Sequence, residues 1–266
     1  MNPITSGNNR NSFRKVVVVL GAPRGGTSVT AGLLSVLGVD MGNLRGSTPK
    51  NPKGLFEDRD FLALIREIII AADPELNKPD AVVGLNPPTV EKVLSQKANF
   101  NGRIQQFINE RDGAATCPVW GWKVITTNIA IELFLPYLTN PHFVVVFRNP
   151  LDIGKSLVEY TKKNQKLTLI KALKLCNYYY QSIFNFLDSH PGLPVLFVTF
   201  ADIVANPSKE AERMADFLNI EFAAKHAYRA EQFVIPRNKI ELAKRKMRVK
   251  QMAHKRLFRI VRKIIT

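Results

Sequence analysis

An apolar run near the N-terminus, Val16–Leu20, consists of four valines and a leucine and ends at Gly21. A continuous β-branched run of this kind is typical of a central strand that is buried on both faces of a sheet. The next segment, Gly21–Ser28, contains three glycines and two hydroxyl residues, and apolar residues at helical spacing follow over Thr27–Leu37. A buried strand, a glycine-rich loop and a helix in this order restrict the chain to an α/β fold with a parallel sheet.

The rest of the chain continues the alternation of strands and helices. Further strands are predicted at 119–124, 142–147 and 194–200, and helices at 60–72, 89–111, 129–138, 150–161, 167–187 and 207–218. We expect a break in the second of these helices near 99–102 and a loop over 73–88, which is rich in Pro and Asn. The pattern predicts a P-loop-like central parallel sheet with helices on both faces. Trp120 and Trp122, on the second strand, either fill the core or line a site.

The net charge of +16 is unevenly distributed. Residues 237–266 hold twelve Lys or Arg against one acid, Glu241, so they carry eleven of the sixteen net positive charges. We therefore expect one domain over 1–236, with a flexible N-terminus over 1–14, and a basic amphipathic helix over 237–266. Such a helix suits an anionic membrane surface or a polyanionic acceptor, or packs on its own domain or a second subunit. Nucleic-acid binding is not favoured, because Phe258 is the only aromatic residue of this tail.

Composition also bears on the compartment and on metals. Cys117 and Cys176 are far apart in sequence, and the four histidines are scattered, so neither a disulfide framework nor a metal site is expected. Residues 1–14 lack the apolar core of a signal peptide, and the longest apolar runs are too short to span a bilayer. The prediction is a soluble cytoplasmic protein without a metal, whose tail leaves peripheral membrane attachment open.

The loop Gly21–Ser28 is a candidate phosphate site. Its glycines allow a tight turn that directs backbone N–H groups inward, and the N-terminus of the following helix adds partial positive charge. The spacing nearly reproduces G-x-x-x-x-G-K-[ST], but Thr27 stands at the lysine position and the cation is Arg24. The loop therefore predicts anion binding rather than cleavage of a β–γ phosphate bond, and a plain tight turn is the structural alternative.

A second anion-binding segment follows the strand at 142–147. Arg148 lies at the carboxyl end of that strand, where open parallel sheets bind ligands, and Ser156 lies two turns into the helix that begins at Pro150. A guanidinium and a hydroxyl in these positions can hold a second phosphate. The alternative is an ion pair between Arg148 and Asp152.

Together the two segments resemble the sulfotransferase family. Pro23–Ser28 is similar to its loop for the 5′-phosphosulfate, and Phe147–Ser156 to its 3′-phosphate segment. The resemblance implies the donor 3′-phosphoadenosine 5′-phosphosulfate (PAPS) and no metal. It assigns the 5′-phosphate to Gly25, Gly26, Thr27, Ser28 and Arg24, the last neutralising charge on the leaving phosphate. It assigns the 3′-phosphate to Arg148 and Ser156.

The resemblance also supplies candidate catalytic residues. Asn51–Asp58 resembles the stretch that carries a catalytic glutamate in bacterial and glycan-directed sulfotransferases, which makes Glu57 the expected base and Asp58 its competitor. The alternative for Glu57 is an acidic helix start. Lys123, at a strand end, is expected to stabilise charge on the transferring group. Cytosolic members carry a catalytic histidine close to this lysine, whereas Lys123–Thr127 contains none, which favours the glutamate.

The predicted function is therefore transfer of a sulfuryl group from PAPS to an acceptor hydroxyl of a carbohydrate or lipid-linked glycan, leaving adenosine 3′,5′-bisphosphate (PAP). Two other classes stay open at this point. One is a P-loop kinase or nucleotidase, which the missing lysine opposes, and the other is a non-enzymatic nucleotide- or nucleic-acid-binding module. Pro236–Lys239 is a conceivable further contact for the 3′-phosphate.

Overall fold

A computed structural model describes residues 14–46, 54–77, 83–162 and 167–234. Its strands are β1 (Lys15–Leu20), β2 (Val119–Trp122), β3 (Pro141–Phe147) and β4 (Val195–Thr199). The first five helices are α1 (Thr27–Val36), α2 (Arg59–Ala72), α3 (Val90–Leu94), α4 (Lys97–Ala114) and α5 (Thr127–Phe134). The other five are α6 (Pro150–Thr161), α7 (Leu169–Ser189), α8 (Phe200–Ala205), α9 (Pro207–Leu218) and α10 (Ala224–Phe233). Short 3₁₀ helices lie at Pro74–Asn77, Val83–Leu85 and Leu135–Tyr137.

The four strands form one parallel sheet in the order β2-β1-β3-β4. Val18 of β1 is in register with Trp122 of β2 and with Phe143 of β3, and Val145 of β3 with Phe197 of β4. The predicted parallel sheet is confirmed. The central strand β1 is the run Val16–Leu20, which the sequence predicts to be buried on both faces, and β3, the other central strand, corresponds to the strand predicted at 142–147.

Helices cover both faces of the sheet. Val16, Val18 and Leu20 point into a core that they share with residues of α2, α4, α5, α6 and α7. Val17 and Val19 point to the opposite face and are equally buried. On that face α1 contacts β1, and α1, α9 and α10 contact one another. Because alternate side chains of a strand point to opposite faces, burial of all five requires helices on both sides.

Aromatic side chains fill the core beside β2. Trp120 and Trp122 are both fully buried. The ring of Phe61, from α2, stacks on Trp122 with centroids 4.1 Å apart, and the Trp122 Nε1–H donates to Thr127 Oγ1 at 3.0 Å. Both tryptophans therefore belong to the core, and the indole N–H that burial would leave unsatisfied has a partner.

The helical region 89–111 differs from its prediction. The break lies at Ser95 and Gln96, between α3 and α4, whereas residues 99–102 lie inside α4. Ser95 ends α3 and its hydroxyl donates to the carbonyl of Lys92 at 2.8 Å. An added Cβ at Gly102 would have nothing within 4 Å, so its lack of a side chain costs no packing there. The helices α8 and α10 were not predicted.

Several predicted features lie outside the described residues: the basic helix of the tail and the domain boundary after 236, residues 1–13 of the N-terminus, and Asn51–Lys53 of the acceptor-side motif. Among the residues that are described, no helix combines the length and apolarity that crossing a membrane requires.

Candidate active site

The segments that carry the predicted site residues meet at the carboxyl edge of the sheet. Gly21, Lys123 and Arg148 directly follow β1, β2 and β3. The chain leaves β1 toward β2 on one side and β3 toward β4 on the other, so the topological switch point lies between β1 and β3. Open parallel sheets bind ligands in the crevice at such a point. Both predicted phosphate segments border this crevice.

The loop after β1 is held in a tight turn. The Gly25 N–H donates to the carbonyl of Ala22 at 2.8 Å, and a Cβ at Gly25 would lie 2.7 Å from that oxygen. Gly26 has φ +108°, and a Cβ there would lie 2.7 Å from the ring of Phe200. Gly26 is also the N-cap of α1. Since glycine has no side chain to accept from the first N–H groups of the helix, a bound anion can accept from them instead.

The two hydroxyl residues of this loop are in different settings. Thr27 is buried, with 4% of its surface exposed. The Ser28 hydroxyl donates to the carbonyl of Leu55 at 2.9 Å and so connects the phosphate loop to the segment that precedes Glu57.

Arg24 connects the loop to helix α6. Its φ of +65° is unusual for a residue with a Cβ, and such backbone strain of about 1–3 kcal/mol persists only where the surroundings enforce it. Its Nε–H donates to Ser156 Oγ at 3.1 Å, and its guanidinium carbon lies 5.2 Å from the centre of the Tyr160 ring. Ser156, which the sequence paired with Arg148, thus contacts Arg24.

Arg148 is positioned by its backbone and by its side chain. Its N–H donates to the hydroxyl of Tyr180 at 3.2 Å, and burial raises the pKa of that phenol to about 12, so the hydroxyl stays neutral. Its Nη1–H donates to the carbonyl of Arg24 at 3.0 Å, and its guanidinium carbon lies 4.5 Å from the centre of the Phe200 ring. The structure therefore brings both predicted phosphate segments into direct contact.

Glu57 and Lys123 form an ion pair beside this crevice. Lys123 Nζ lies 3.2 Å from Glu57 Oε1, and Arg45 Nη1 lies 2.8 Å from Glu57 Oε2. The exposed fractions of the side chains are 2% for Lys123, 14% for Glu57 and 43% for Arg45. The two predicted catalytic residues, 66 positions apart in sequence, are thus partners, and Arg45 is a third member that the sequence did not indicate.

The environment of Lys123 lowers the pKa of its ammonium group below the ordinary lysine value. Burial is the main cause, since it disfavours the charged form. The carboxylate of Glu57 opposes this effect, while the charges of Arg45 and Arg24 add to it.

Asp58, the competing candidate base, caps helix α2. One carboxyl oxygen accepts from the N–H groups of Asp60 and Phe61 at 2.8 and 2.9 Å, and the other from Asn43 N–H at 3.0 Å. Burial raises the pKa of Asp58, and these hydrogen bonds counteract it. The alternative role of Glu57 was that of an acidic residue at the start of a helix. The structure gives this role to Asp58 instead.

Asn128 supports the start of the phosphate loop and was not identified from the sequence. The Gly21 N–H donates to its Oδ1 at 3.2 Å, and its Nδ2–H donates to the Gly21 carbonyl at 2.8 Å. The side chain is buried at the N-terminal end of α5. The sequence shows only an asparagine soon after a strand. Its partner, Gly21, lies 107 positions earlier, so no local pattern connects the two residues.

Replacing Asn128 with Ala is expected to lower the free energy of unfolding by about 1–3 kcal/mol, because two buried backbone groups of Gly21 lose their partners. Affinity for PAP should fall as well, since the loop is no longer held in place. Thermal melting and calorimetry measure the two effects. A cavity of about 350 Å³ is lined by Asn128 and, from α7, by Asn185. Asn185→Ala is therefore the control, because it shortens another asparagine of the same cavity. An Asn128 variant with the melting temperature and PAP affinity of the parent protein would contradict this role.

The sequence and the fold of this chain are both similar to those of known sulfotransferases. The sequence matches the Sulfotransferase family over residues 17–224. No curated protein matches the chain. Sulfotransferase STF9 from Mycobacterium avium is 15% identical, with a TM-score of 0.51 over 83% of this chain and 68% of that one. The sulfotransferase domain of the Synechococcus PCC 7002 olefin synthase is 17% identical, with a TM-score of 0.49 over 88% and 85%. Mouse sulfotransferase SULT7A1, complexed with PAP, is 12% identical, with a TM-score of 0.44 over 85% and 68%.

The family match spans most of the chain and includes both phosphate segments, Glu57 and Lys123. The similarity to STF9 independently supports the fold. Within the described ranges, no three His, Cys, Asp or Glu side chains are grouped so as to hold a metal ion. The chain belongs to the sulfotransferase family and is an enzyme of sulfuryl transfer.

Proposed function

We propose that this enzyme transfers the sulfuryl group of PAPS to an acceptor hydroxyl and releases PAP. The observation that carries the proposal is the contact between the two phosphate segments at the switch point, where Arg148 Nη1 lies 3.0 Å from the carbonyl oxygen of Arg24. PAPS carries phosphate groups at the 3′ and 5′ positions of its ribose, and two adjoining cationic segments match that arrangement. The PAP complex of mouse SULT7A1 makes PAP the natural probe.

In this proposal the donor lies across the crevice. The backbone of Gly25–Ser28 and the N-terminus of α1 bind the 5′-phosphate, and Arg24 neutralises the charge that develops on it as it leaves. Arg148 binds the 3′-phosphate together with Ser156. In the structure the Ser156 hydroxyl accepts from the Arg24 Nε–H, and its own O–H can still donate to the 3′-phosphate.

The transfer itself needs a base and charge stabilisation. Glu57 accepts the proton of the acceptor hydroxyl as the oxygen forms a bond to sulfur and the bond from sulfur to the bridging phosphate oxygen breaks. The electron pair of the broken bond stays on the 5′-phosphate of PAP. Lys123 places a positive charge beside Glu57 and the transferring group.

We further propose that the acceptor is a carbohydrate or a lipid-linked glycan. The support is the resemblance of the Glu57 segment to glycan-directed sulfotransferases. Mass spectrometry of sulfated products from a panel of sugars, glycolipids, phenols and steroids tests this choice. Sulfation of phenols or steroids alone would contradict it.

The basic tail, 237–266, is proposed to make peripheral contact with an anionic membrane or with a polyanionic acceptor. Its support is charge, with twelve Lys or Arg against one acid. Co-sedimentation with vesicles that contain or lack anionic lipid tests the membrane contact. Equal binding to both would contradict it.

Calorimetry tests the donor assignment, with PAP, AMP and ATP as probes. We expect PAP to bind more tightly than AMP, because AMP has no 3′-phosphate. Tighter binding of ATP than of PAP, together with magnesium-dependent hydrolysis, would favour a nucleotide kinase or nucleotidase and contradict the assignment.

Replacing Arg148 with Ala should weaken PAP binding about 10- to 100-fold, since a charge-assisted hydrogen bond contributes about 1.5–3 kcal/mol. AMP binding should change much less. Calorimetry of both ligands measures the difference. Arg103→Ala, which removes an arginine paired with Glu67, is the control. Equal losses for PAP and AMP would remove the assigned role of Arg148.

A further inference from the structure

A short antiparallel pairing joins the loop after α1 to the segment that carries Glu57. Leu44 and Asp58 form an isolated antiparallel bridge. The Arg45 N–H donates to the Glu57 carbonyl at 2.8 Å, and the Arg59 N–H donates to the Asn43 carbonyl at 2.8 Å. These backbone hydrogen bonds fix Arg45 directly opposite Glu57, so the contact between their side chains follows from the fold.

The Glu57 carboxylate is held from two sides. Oε1 faces Lys123 Nζ at 3.2 Å, and Oε2 accepts from Arg45 Nη1 at 2.8 Å. A carboxylate offers about four lone-pair sites, so each oxygen still has room for one more donor. An acceptor hydroxyl can therefore approach without displacing either cation.

The two cations differ in exposure. Lys123 is buried, with 2% of its side chain exposed, whereas 43% of the Arg45 side chain is exposed. Lys123 thus lies on the interior side of the carboxylate and Arg45 on its solvent side. If Lys123 were its only partner, the Glu57 carboxylate could still rotate about the hydrogen bond between Oε1 and Nζ. The second contact, at Oε2, prevents this rotation and fixes the plane of the carboxylate.

From this geometry we propose that Arg45 is a positioning residue, which fixes the orientation of the Glu57 carboxylate for proton abstraction from the acceptor. The inference rests on the proposed function, in which Glu57 is the base. It adds a residue on a different segment, 12 positions before Glu57, that acts on the reaction only through Glu57.

The test uses the full-length enzyme, ³⁵S-labelled PAPS and the best acceptor from the panel described above. Arg45→Ala should lower kcat about 10- to 30-fold, whereas the PAP affinity and the KM for PAPS should stay within about twofold. Arg45→Lys should restore part of kcat, because an ammonium group can still contact Oε2. Arg59→Ala is the matched control: it removes an arginine of the same backbone pairing whose side chain contacts the Leu44 carbonyl and not Glu57.

The Glu57→Gln background separates positioning from a general structural effect. If Arg45 acts through Glu57, adding Arg45→Ala to Glu57→Gln should cause no further loss of kcat. An equal 10- to 30-fold loss in both backgrounds, a parallel loss of PAP affinity, or a wild-type kcat for Arg45→Ala would each overturn the proposal.

These outcomes are distinguishable from failure of the proposed function. That function fails if PAP does not bind or if Glu57→Gln keeps full turnover. With PAP bound tightly and Glu57→Gln impaired, a wild-type rate for Arg45→Ala would remove only the role of Arg45.

Discussion

Replacing Glu57 with Gln is expected to lower kcat about 1,000-fold, because general base catalysis contributes roughly 10²–10⁴ and the amide cannot accept the proton. The amide has nearly the same shape as the carboxylate, and Glu57 lies outside both phosphate segments. Affinity for PAP should therefore stay close to that of the parent enzyme. Single-turnover transfer from ³⁵S-labelled PAPS measures the chemical step, and calorimetry measures PAP binding.

The Glu57→Gln variant is also expected to be less stable than the parent enzyme. Lys123 is buried, so loss of its carboxylate partner costs up to about 3–5 kcal/mol. The double variant Glu57→Gln/Lys123→Met removes the buried charge; it should recover stability and remain inactive.

Asp58→Asn is the matched control for the neighbouring carboxyl. Asparagine is also a good N-cap, but its amide nitrogen cannot accept from the Asn43 N–H, so this variant should be less stable and still keep most of its turnover below its melting temperature. Full turnover in Glu57→Gln, or a greater loss in Asp58→Asn, would contradict the assignment of the base.

Much of the fold could be predicted because its signals are local. The runs at Val16–Leu20 and 143–147 are long enough and apolar enough to read as buried strands, and each is followed by residues that suit a ligand rather than a core. Open parallel sheets bind ligands at the carboxyl ends of their strands, so the sequence also predicted that Arg148, which follows the second run, lies at a ligand site. That the two phosphate segments are in direct contact, through Arg148 Nη1 and the Arg24 carbonyl, is seen only in the structure.

Other features depend on tertiary contacts that no local pattern reveals. Asn128 reaches a glycine 107 residues earlier, and Arg45 reaches Glu57 only because a backbone bridge aligns their segments. Helix α8 is only six residues long and begins directly after β4, and its first residue, Phe200, was predicted to be the last residue of the strand at 194–200. The roles of the two adjacent acids could not be distinguished from the sequence either. Only the structure shows that Asp58 caps α2 while Glu57 faces Lys123.

Replacing Lys123 with Met is expected to lower kcat about 100- to 1,000-fold, the usual cost of removing one group that stabilises charge in a transition state. Met is similar in length and suits a buried position. Affinity for PAP should fall much less than kcat. A kcat within a few-fold of the parent enzyme would show that Lys123 only supports the fold.

The pH dependence provides an independent test of Lys123. Its pKa is lowered by burial, so the ammonium group loses its proton below pH 10.5, the ordinary lysine value. We expect kcat/KM to fall on the alkaline side within that lowered range, and the fall should be absent in Lys123→Arg, because guanidinium stays charged.

The free energy of unfolding should rise with pH over the same range in which kcat/KM falls. Between the folded pKa of Lys123 and 10.5, the unfolded chain binds a proton that the folded chain does not. The free energy of unfolding contributed by this group therefore rises with pH, and the cost of burying the charge is fully present below the folded pKa. Because Lys15, Cys176 and Tyr180 also have shifted pKa values, the slope is read from the difference in free energy of unfolding between the parent enzyme and Lys123→Met, which should grow as pH falls from 10.5 toward the folded pKa of Lys123. An alkaline fall in activity that persists unchanged in Lys123→Arg would mean that a group other than Lys123 titrates in the reaction.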